Sequence, residues 1–132
     1  MIDGVNEQAS YVGGGSVKRF ALLSGEKVVK AGGARYRGQY WLTWWGELLL
    51  TTGRLIYCPS ILMVFWDPFA IDLSSITDVC EVPGLRANLD VPSRIRVVAD
   101  GQTHHFGFGL YGWRRRHEWV AAIRDQQASL RN

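Results

Sequence analysis

The stretch Arg94-Ile95-Arg96-Val97-Val98-Ala99-Asp100-Gly101-Gln102-Thr103-His104-His105-Phe106-Gly107-Phe108 decides how this chain is to be read. β-branched and aromatic residues flank Asp100-Gly101 on both sides. An Asp-Gly pair between two such runs is a hairpin signal, because the tight turn that matches strand twist needs left-handed backbone at both central positions. Arg94–Ala99 and Thr103–Phe108 are therefore expected to be antiparallel neighbours, with His104, Phe106 and Phe108 on one face by the period of two. Directly downstream the pattern changes. From Trp113 onward Gly and Pro vanish and charges recur every few residues. Trp113, Val120, Ile123 and Gln127 fall near one face with Trp119 beside it, which predicts one amphipathic helix over 113–127, about four or five turns long.

Working back toward the N-terminus, the same period of two recurs. Ile76–Val82 and Phe69–Leu73 read as strands, as does Arg54–Cys58, which Pro59 stops. Leu48–Thr52 is separated from Arg54 by Gly53, which suits a tight turn. Lys27–Ala31, loosened by Gly32-Gly33 and resumed at Ala34–Arg37, completes a set of seven short strands. Ile61–Trp66, closed by Asp67-Pro68, and Val17–Gly25 carry no firm type. Residues 1–16 end in Gly13-Gly14-Gly15-Ser16 and read as a flexible N-terminal tail, leaving 17–132 as the domain. The expected architecture is mainly β: a seven-stranded antiparallel sandwich or open barrel over residues 26–109, closed by one C-terminal helix. A strongly bent sheet leaves its core open at one end, and Trp119, Val120 and Ile123 are the expected plug.

Composition narrows the function. The 132 residues are 47% hydrophobic, enough for one globular domain with a real core, and they include six Trp. The net charge of +3 is carried by 15 Lys and Arg that are scattered, apart from Arg114-Arg115-Arg116. That balance permits an anionic partner such as a membrane surface, and it does not have the concentrated basic face of a nucleic-acid binder. Cys58 and Cys80 form neither a disulfide framework nor a CxxC metal or redox motif. The first seven residues lack the basic and apolar regions of a signal peptide. The longest purely apolar run, Ile61–Trp66, is far too short to span a bilayer. The expected location is cytoplasmic, with a peripheral place at the inner membrane face as the alternative.

Catalytic chemistry finds no foothold. His104 and His105 are adjacent on a strand and point to opposite faces, so they cannot ligate one metal together. His117 lacks a matching ligand at helical spacing, no two carboxylates pair as acid and base, and no GxSxG occurs. Gly13 to Lys18 is glycine-rich but departs from phosphate-loop spacing. The expectation is a non-enzymatic protein without cofactor or metal.

Three blocks carry a resemblance to a known family. Ser24-Gly25-Glu26-Lys27-Val28, then Leu48-Leu49-Leu50-Thr51-Thr52-Gly53-Arg54-Leu55-Ile56-Tyr57, then Ile71-Asp72-Leu73-Ser74-Ser75-Ile76 are similar to the successive blocks of a GRAM domain, in a bacterial-type, free-standing copy. His117-Glu118-Trp119-Val120-Ala121-Ala122-Ile123 resembles the closing helix of pleckstrin-homology domains. The resemblance spans residues 24–126. It implies a pleckstrin-homology-like sandwich without catalysis that binds lipid or protein. It also implies that the connections 37–46, 59–69 and 100–102 gather at one end. Tyr40, Trp41, Trp44, Trp45, Phe65 and Trp66 would then meet there, near Arg35 and Arg37. Three uses stand open for these aromatics: a membrane-docking surface, a protein interface that includes self-association as a homo-oligomer, or filling of the core. Their number favours a surface, since the strands already supply ample filling and overpacking is costly. Arg35 and Arg37 are the candidate contacts for an anionic headgroup.

Overall fold

The computed structural model describes residues 10–37, 43–82, 94–108 and 113–131. Among these residues, nine strands and one long helix follow in chain order: β1 Tyr11–Gly14, β2 Val17–Ala21, β3 Val28–Arg37, β4 Thr43–Thr51, β5 Arg54–Pro59, β6 Phe69–Asp72, β7 Ile76–Val82, β8 Arg94–Ala99, β9 Gln102–Gly107 and α1 Trp113–Arg131. A single 3-10 turn, Leu73–Ser75, joins β6 to β7. Seven strands form one antiparallel sheet in the order β6-β5-β4-β3-β9-β8-β7, as the sequence predicts for 26–109. The hairpin at Asp100-Gly101 has the expected backbone, with φ of 51° and 76°.

The inner face follows the alternation. Leu48 and Leu50 on β4, Leu55 and Tyr57 on β5, Ile95 and Val97 on β8 and Phe106 on β9 are all fully buried in one cluster. Gly46 makes room for one of these side chains: a Cβ there would collide with the Tyr57 ring and the Cys58 carbonyl. The Tyr57 hydroxyl can therefore cross the interior and donate to the Ala34 carbonyl at 3.2 Å. Helix α1 closes the open end with Trp119, Val120 and Ile123, all buried. Phe108 stacks on Trp119 with ring centres 6.0 Å apart. Gln127, on the same side, donates to the carbonyls of Leu73 and Ile76, both at 3.1 Å. Arg115 and Glu118 face outward, as expected.

Four elements differ from the sequence reading, each for a physical reason. The stretch expected to be a tail up to residue 16 contains β1, and β1 and β2 form a hairpin that turns at Gly15-Ser16 after an irregularity at Val12–Gly14. Gly13, Gly14 and Gly15 have φ of 86°, 113° and 65°. Glycines that a flexible hinge would use here supply the positive φ of an irregular strand end and of the turn that follows it. The hairpin lies over the outer face of the sheet, where Val12, Leu49, Ile56 and Cys58 form a second buried cluster with Val17 and Phe20 packed on it. The runs Leu48–Leu50 and Leu55–Cys58 are apolar without alternation because both of their faces are covered.

Strand β4 starts at Thr43, so Trp44 and Trp45 extend a strand instead of belonging to a connection. β3 and β4 pair over this extension, with Arg35 opposite Trp45 and Tyr36 opposite Trp44. Helix α1 runs to Arg131, beyond the expected end at 127, and its last turn leaves Leu130 half exposed. A solvated final turn has no apolar periodicity to betray it. β6 ends at Asp72 and Leu73 begins the 3-10 turn.

A polar clamp ties the start of the domain to the β4–β5 turn. The Glu26 carboxylate accepts hydrogen bonds from Arg54 Nη2 at 2.6 Å, Arg54 Nε at 2.9 Å, Thr51 Oγ1 at 2.5 Å and the Leu23 amide at 2.8 Å. The Arg54 guanidinium holds the Glu26 carboxyl far below the usual carboxylate range, at about 2.

Candidate functional site: an exposed apolar loop and its surroundings

Strand β5 ends at Pro59, whose missing N–H cannot continue a ladder. The chain then turns tightly: Met63 N donates to Ser60 O at 3.0 Å and Trp66 N to Met63 O at 3.1 Å. Turns this close together push side chains outward. Ile61 is 52% exposed, Leu62 83%, Val64 75% and Phe65 89%. Four large apolar side chains within five consecutive positions therefore face solvent.

The loop is nonetheless held in place. Ser60 N donates to Trp45 O at 2.8 Å and Ile61 N to Ser16 O at 3.0 Å, tying it to β4 and to the turn of the N-terminal hairpin. The Lys18 ammonium on β2 donates to the Met63 carbonyl at 2.8 Å and also to the Trp66 carbonyl. A charge that binds two backbone carbonyls in this way shapes the loop from beneath.

Beside the loop, on the outer face of β3 and β4, the Arg35 guanidinium lies 4.0 Å over the ring of Trp45, which is itself 59% exposed. Arg35 Nε is buried and has no hydrogen-bond partner among the described residues. Arg37, two residues on, is exposed.

Of the expected site residues, Trp45 and Phe65 stand out into solvent, and Trp66 is half-buried. Trp44 lies on β4 and its side chain is outside the described residues, as are Tyr40 and Trp41 entirely. The sequence reading underused Ile61, Leu62 and Val64, whose bracketing by Pro59 and Asp67-Pro68 was the available signal of a loop. It missed Lys18, which no local pattern marks.

The histidines are separately engaged. His104 Nδ1 lies 2.7 Å from the Tyr36 hydroxyl, His105 Nδ1 accepts from Arg94 Nε at 3.2 Å, and His117 Nδ1 lies 3.1 Å from Glu81 Oε2. Burial pushes His104 down and raises the Tyr36 phenol to about 12, so the hydroxyl donates and the imidazole is neutral. Burial also raises the Cys58 thiol to about 11, far from a reactive thiolate. Among the described residues, no three His, Cys, Asp or Glu side chains converge to hold a metal. Arg116 is drawn to Glu81, with Nε 2.9 Å from Oε1.

A bent seven-stranded sheet with a helix across its open end has counterparts among solved structures. The Vps36 N-terminal PH domain superposes with a TM-score of 0.59 at 16% identity, covering 83% of this chain and 86% of that one. The fold is pleckstrin-homology-like. The C-terminal domain of an unknown protein from Leishmania infantum superposes with a TM-score of 0.61 at 16% identity, covering 80% of this chain and 87% of that one. No protein-family model matches the sequence. A comparison with curated proteins finds no match either. Identity this low shows the pleckstrin-homology-like fold and nothing narrower, so the GRAM resemblance stays a resemblance.

Proposed function

We propose that this chain is a non-enzymatic binding module that docks peripherally on an anionic lipid surface through the β5–β6 loop. The observation that carries the reading is the outward array of Ile61, Leu62, Val64 and Phe65 on a backbone held by Lys18. Exposed apolar groups on a firmly held loop lose little conformational entropy when they enter another phase. Fully burying one such side chain is worth about 1.5–3 kcal/mol, and each cation near an anionic leaflet adds about 1 kcal/mol. Arg35 and Arg37 supply the cations beside the loop. Exposed Trp45 suits the headgroup depth, where aromatic rings with a polar edge collect. A pleckstrin-homology-like fold is typically a binding scaffold, which fits a role without catalysis. The proposed location is the inner face of a membrane. Among the described residues, no helix is long and apolar enough to cross one.

The other occupant of such a patch is a second copy or another protein. A two-fold self-interface presents the same surface on both sides, so Arg35 and Arg37 would face a like-charged rim. That disfavours self-association relative to an anionic leaflet. Co-sedimentation with phosphatidylserine-containing vesicles tests the proposal, using the parent and the double variant Leu62→Glu with Phe65→Glu. The parent pellets with anionic vesicles and stays in solution with pure phosphatidylcholine, and the variant stays in solution with both. A parent that ignores both kinds of vesicle, or a variant that pellets like it, overturns the reading.

A further inference from the structure

A second feature, separate from the loop, lies on the outer face of the sheet, where β3, β9 and β8 run side by side. Tyr36 on β3, Phe106 on β9 and Ile95 and Val97 on β8 are buried in the inner core. Alternation therefore turns Arg37, His105, Arg94 and Arg96 to the outer side. Register brings them together. His105 stands opposite Arg37 on one side and opposite Arg96 on the other. Strand spacing sets these neighbours about 4.8 Å to either side. Arg94, one row along, reaches back to the same imidazole, with its Nε donating to His105 Nδ1 at 3.2 Å. Gly107 pairs with both Arg35 and Arg94 and puts no side chain between them.

Cations gathered this closely oppose one another, and like charges on facing strand positions are destabilising. Burial, and then the Arg37 charge, push the Arg94 guanidinium down. Burial, and then the charges of Arg94, Arg37 and Arg96, push His105 down and keep its imidazole neutral near pH 7. Compensation from within the fold is small. Arg96 has Asp78 at 3.4 Å, and both side chains are roughly half exposed. Arg37 and Arg94 make no ion pair among the described residues. Three guanidinium groups against one carboxylate leave two positive charges unbalanced around His105. A neutral imidazole that accepts at Nδ1 carries its proton on Nε2, so the ring is a further donor.

We propose that Arg37, Arg94, Arg96 and His105 form a binding site for a phosphate monoester, carried by a lipid head group or by a small soluble compound. Such a group bears about −1.5 to −2 charge at pH 7 and three acceptor oxygens, which matches the unbalanced charge of the cluster. Guanidinium forks pair with its oxygens two at a time. The donors surround one point instead of following a stripe, so a single compact group fits and an extended polyanion finds no track. A phosphate diester has one charge and fewer free oxygens, and gains correspondingly less. The site shares Arg37 with the leaflet-facing cations of the proposed function and takes nothing from the apolar loop, so either can fail without the other.

The test is a nuclear magnetic resonance titration of the intact chain with glycerol 3-phosphate, and with dimethyl phosphate as the diester control. The His105 ring signals shift saturably with the monoester, and the diester binds about tenfold more weakly. Arg94→Gln with Arg96→Gln weakens the monoester by about tenfold or more. Co-sedimentation separates the two sources, with vesicles of phosphatidic acid, whose head group is a phosphate monoester, and of phosphatidylserine at matched surface charge. Binding to phosphatidic acid that is about threefold stronger or more points to a lipid head group. Equal binding to both vesicles, or to neither, beside a saturable response to glycerol 3-phosphate points to a soluble compound; binding to neither also tells against the loop alone. These outcomes support the site. Absence of a saturable His105 shift, equal affinity for the diester, or a folded Arg94→Gln, Arg96→Gln variant that responds like the parent overturns the proposal. The comparison of monoester with diester uses the unaltered chain and does not depend on any variant folding.

Discussion

Replacing Glu26 with Gln removes a charge from the most enclosed ion pair described. The Glu26 side chain is 4% exposed and that of Arg54 13%, so solvent screens the pair little. A carboxyl held at about 2 instead of 4.5 is stabilised in its charged form by about 3 kcal/mol. Glu26→Gln also leaves the Arg54 guanidinium without its counter-charge, and breaking a buried pair typically costs about 3–5 kcal/mol. The expected loss near neutral pH is therefore about 3 kcal/mol. Its pH dependence has a definite sign. The folded carboxyl binds its proton less tightly than the unfolded one, so acid protonates the unfolded chain first and draws the equilibrium toward it. The contribution is fully present above pH 4.5 and fades as the pH falls toward about 2. Urea unfolding of parent and variant over that window, taken as a difference, isolates Glu26 from the other carboxyl groups, which both proteins share. A gap of about 3 kcal/mol that closes with acid is expected. A gap that stays constant with pH, or a variant as stable as the parent near neutrality, would show that the Glu26–Arg54 pair does not stabilise the fold.

Trp119→Ala empties the helix plug and is expected to lower stability by about 3–5 kcal/mol, measured by urea unfolding; a parent-like curve contradicts the role given to α1. Lys18→Met removes the ammonium that binds the Met63 and Trp66 carbonyls. It is expected to speed amide hydrogen exchange over residues 61–66 while costing only about 1 kcal/mol globally. Unchanged exchange in that loop shows that Lys18 does not hold it.

The fold was legible because most of its strands obey period two and its helix breaks that period once. Asp100-Gly101 located one hairpin from turn chemistry alone, and Trp119, Val120 and Ile123 were visible as the plug from helical spacing. The limits were local. Gly13-Gly14-Gly15 reads alike as hinge and as turn, because both uses draw on the same backbone freedom. The outer cluster of Leu49, Ile56 and Cys58 was hidden, since a strand buried on both faces loses alternation and with it any sign of what covers it. Trp44 and Trp45 fall in a connection in the sequence reading because the family resemblance places 37–46 between two strands; cross-strand pairing of Trp45 with Arg35 is a long-range fact that no local window contains. For the candidate site, Trp45 and Phe65 were named from composition and capacity. The aliphatic residues that project most, with Lys18 beneath them, emerge only from the turns of residues 60–66.

On the proposed function the β5–β6 loop meets a lipid surface and not a second copy of the chain. Light scattering of the free protein, read beside vesicle flotation at low and high ionic strength, separates the two. The expected result is a monomer in solution that floats with anionic vesicles, more weakly as salt screens Arg35 and Arg37. A dimer or larger assembly that Leu62→Glu with Phe65→Glu dissociates, from a protein that leaves vesicles untouched, would contradict it.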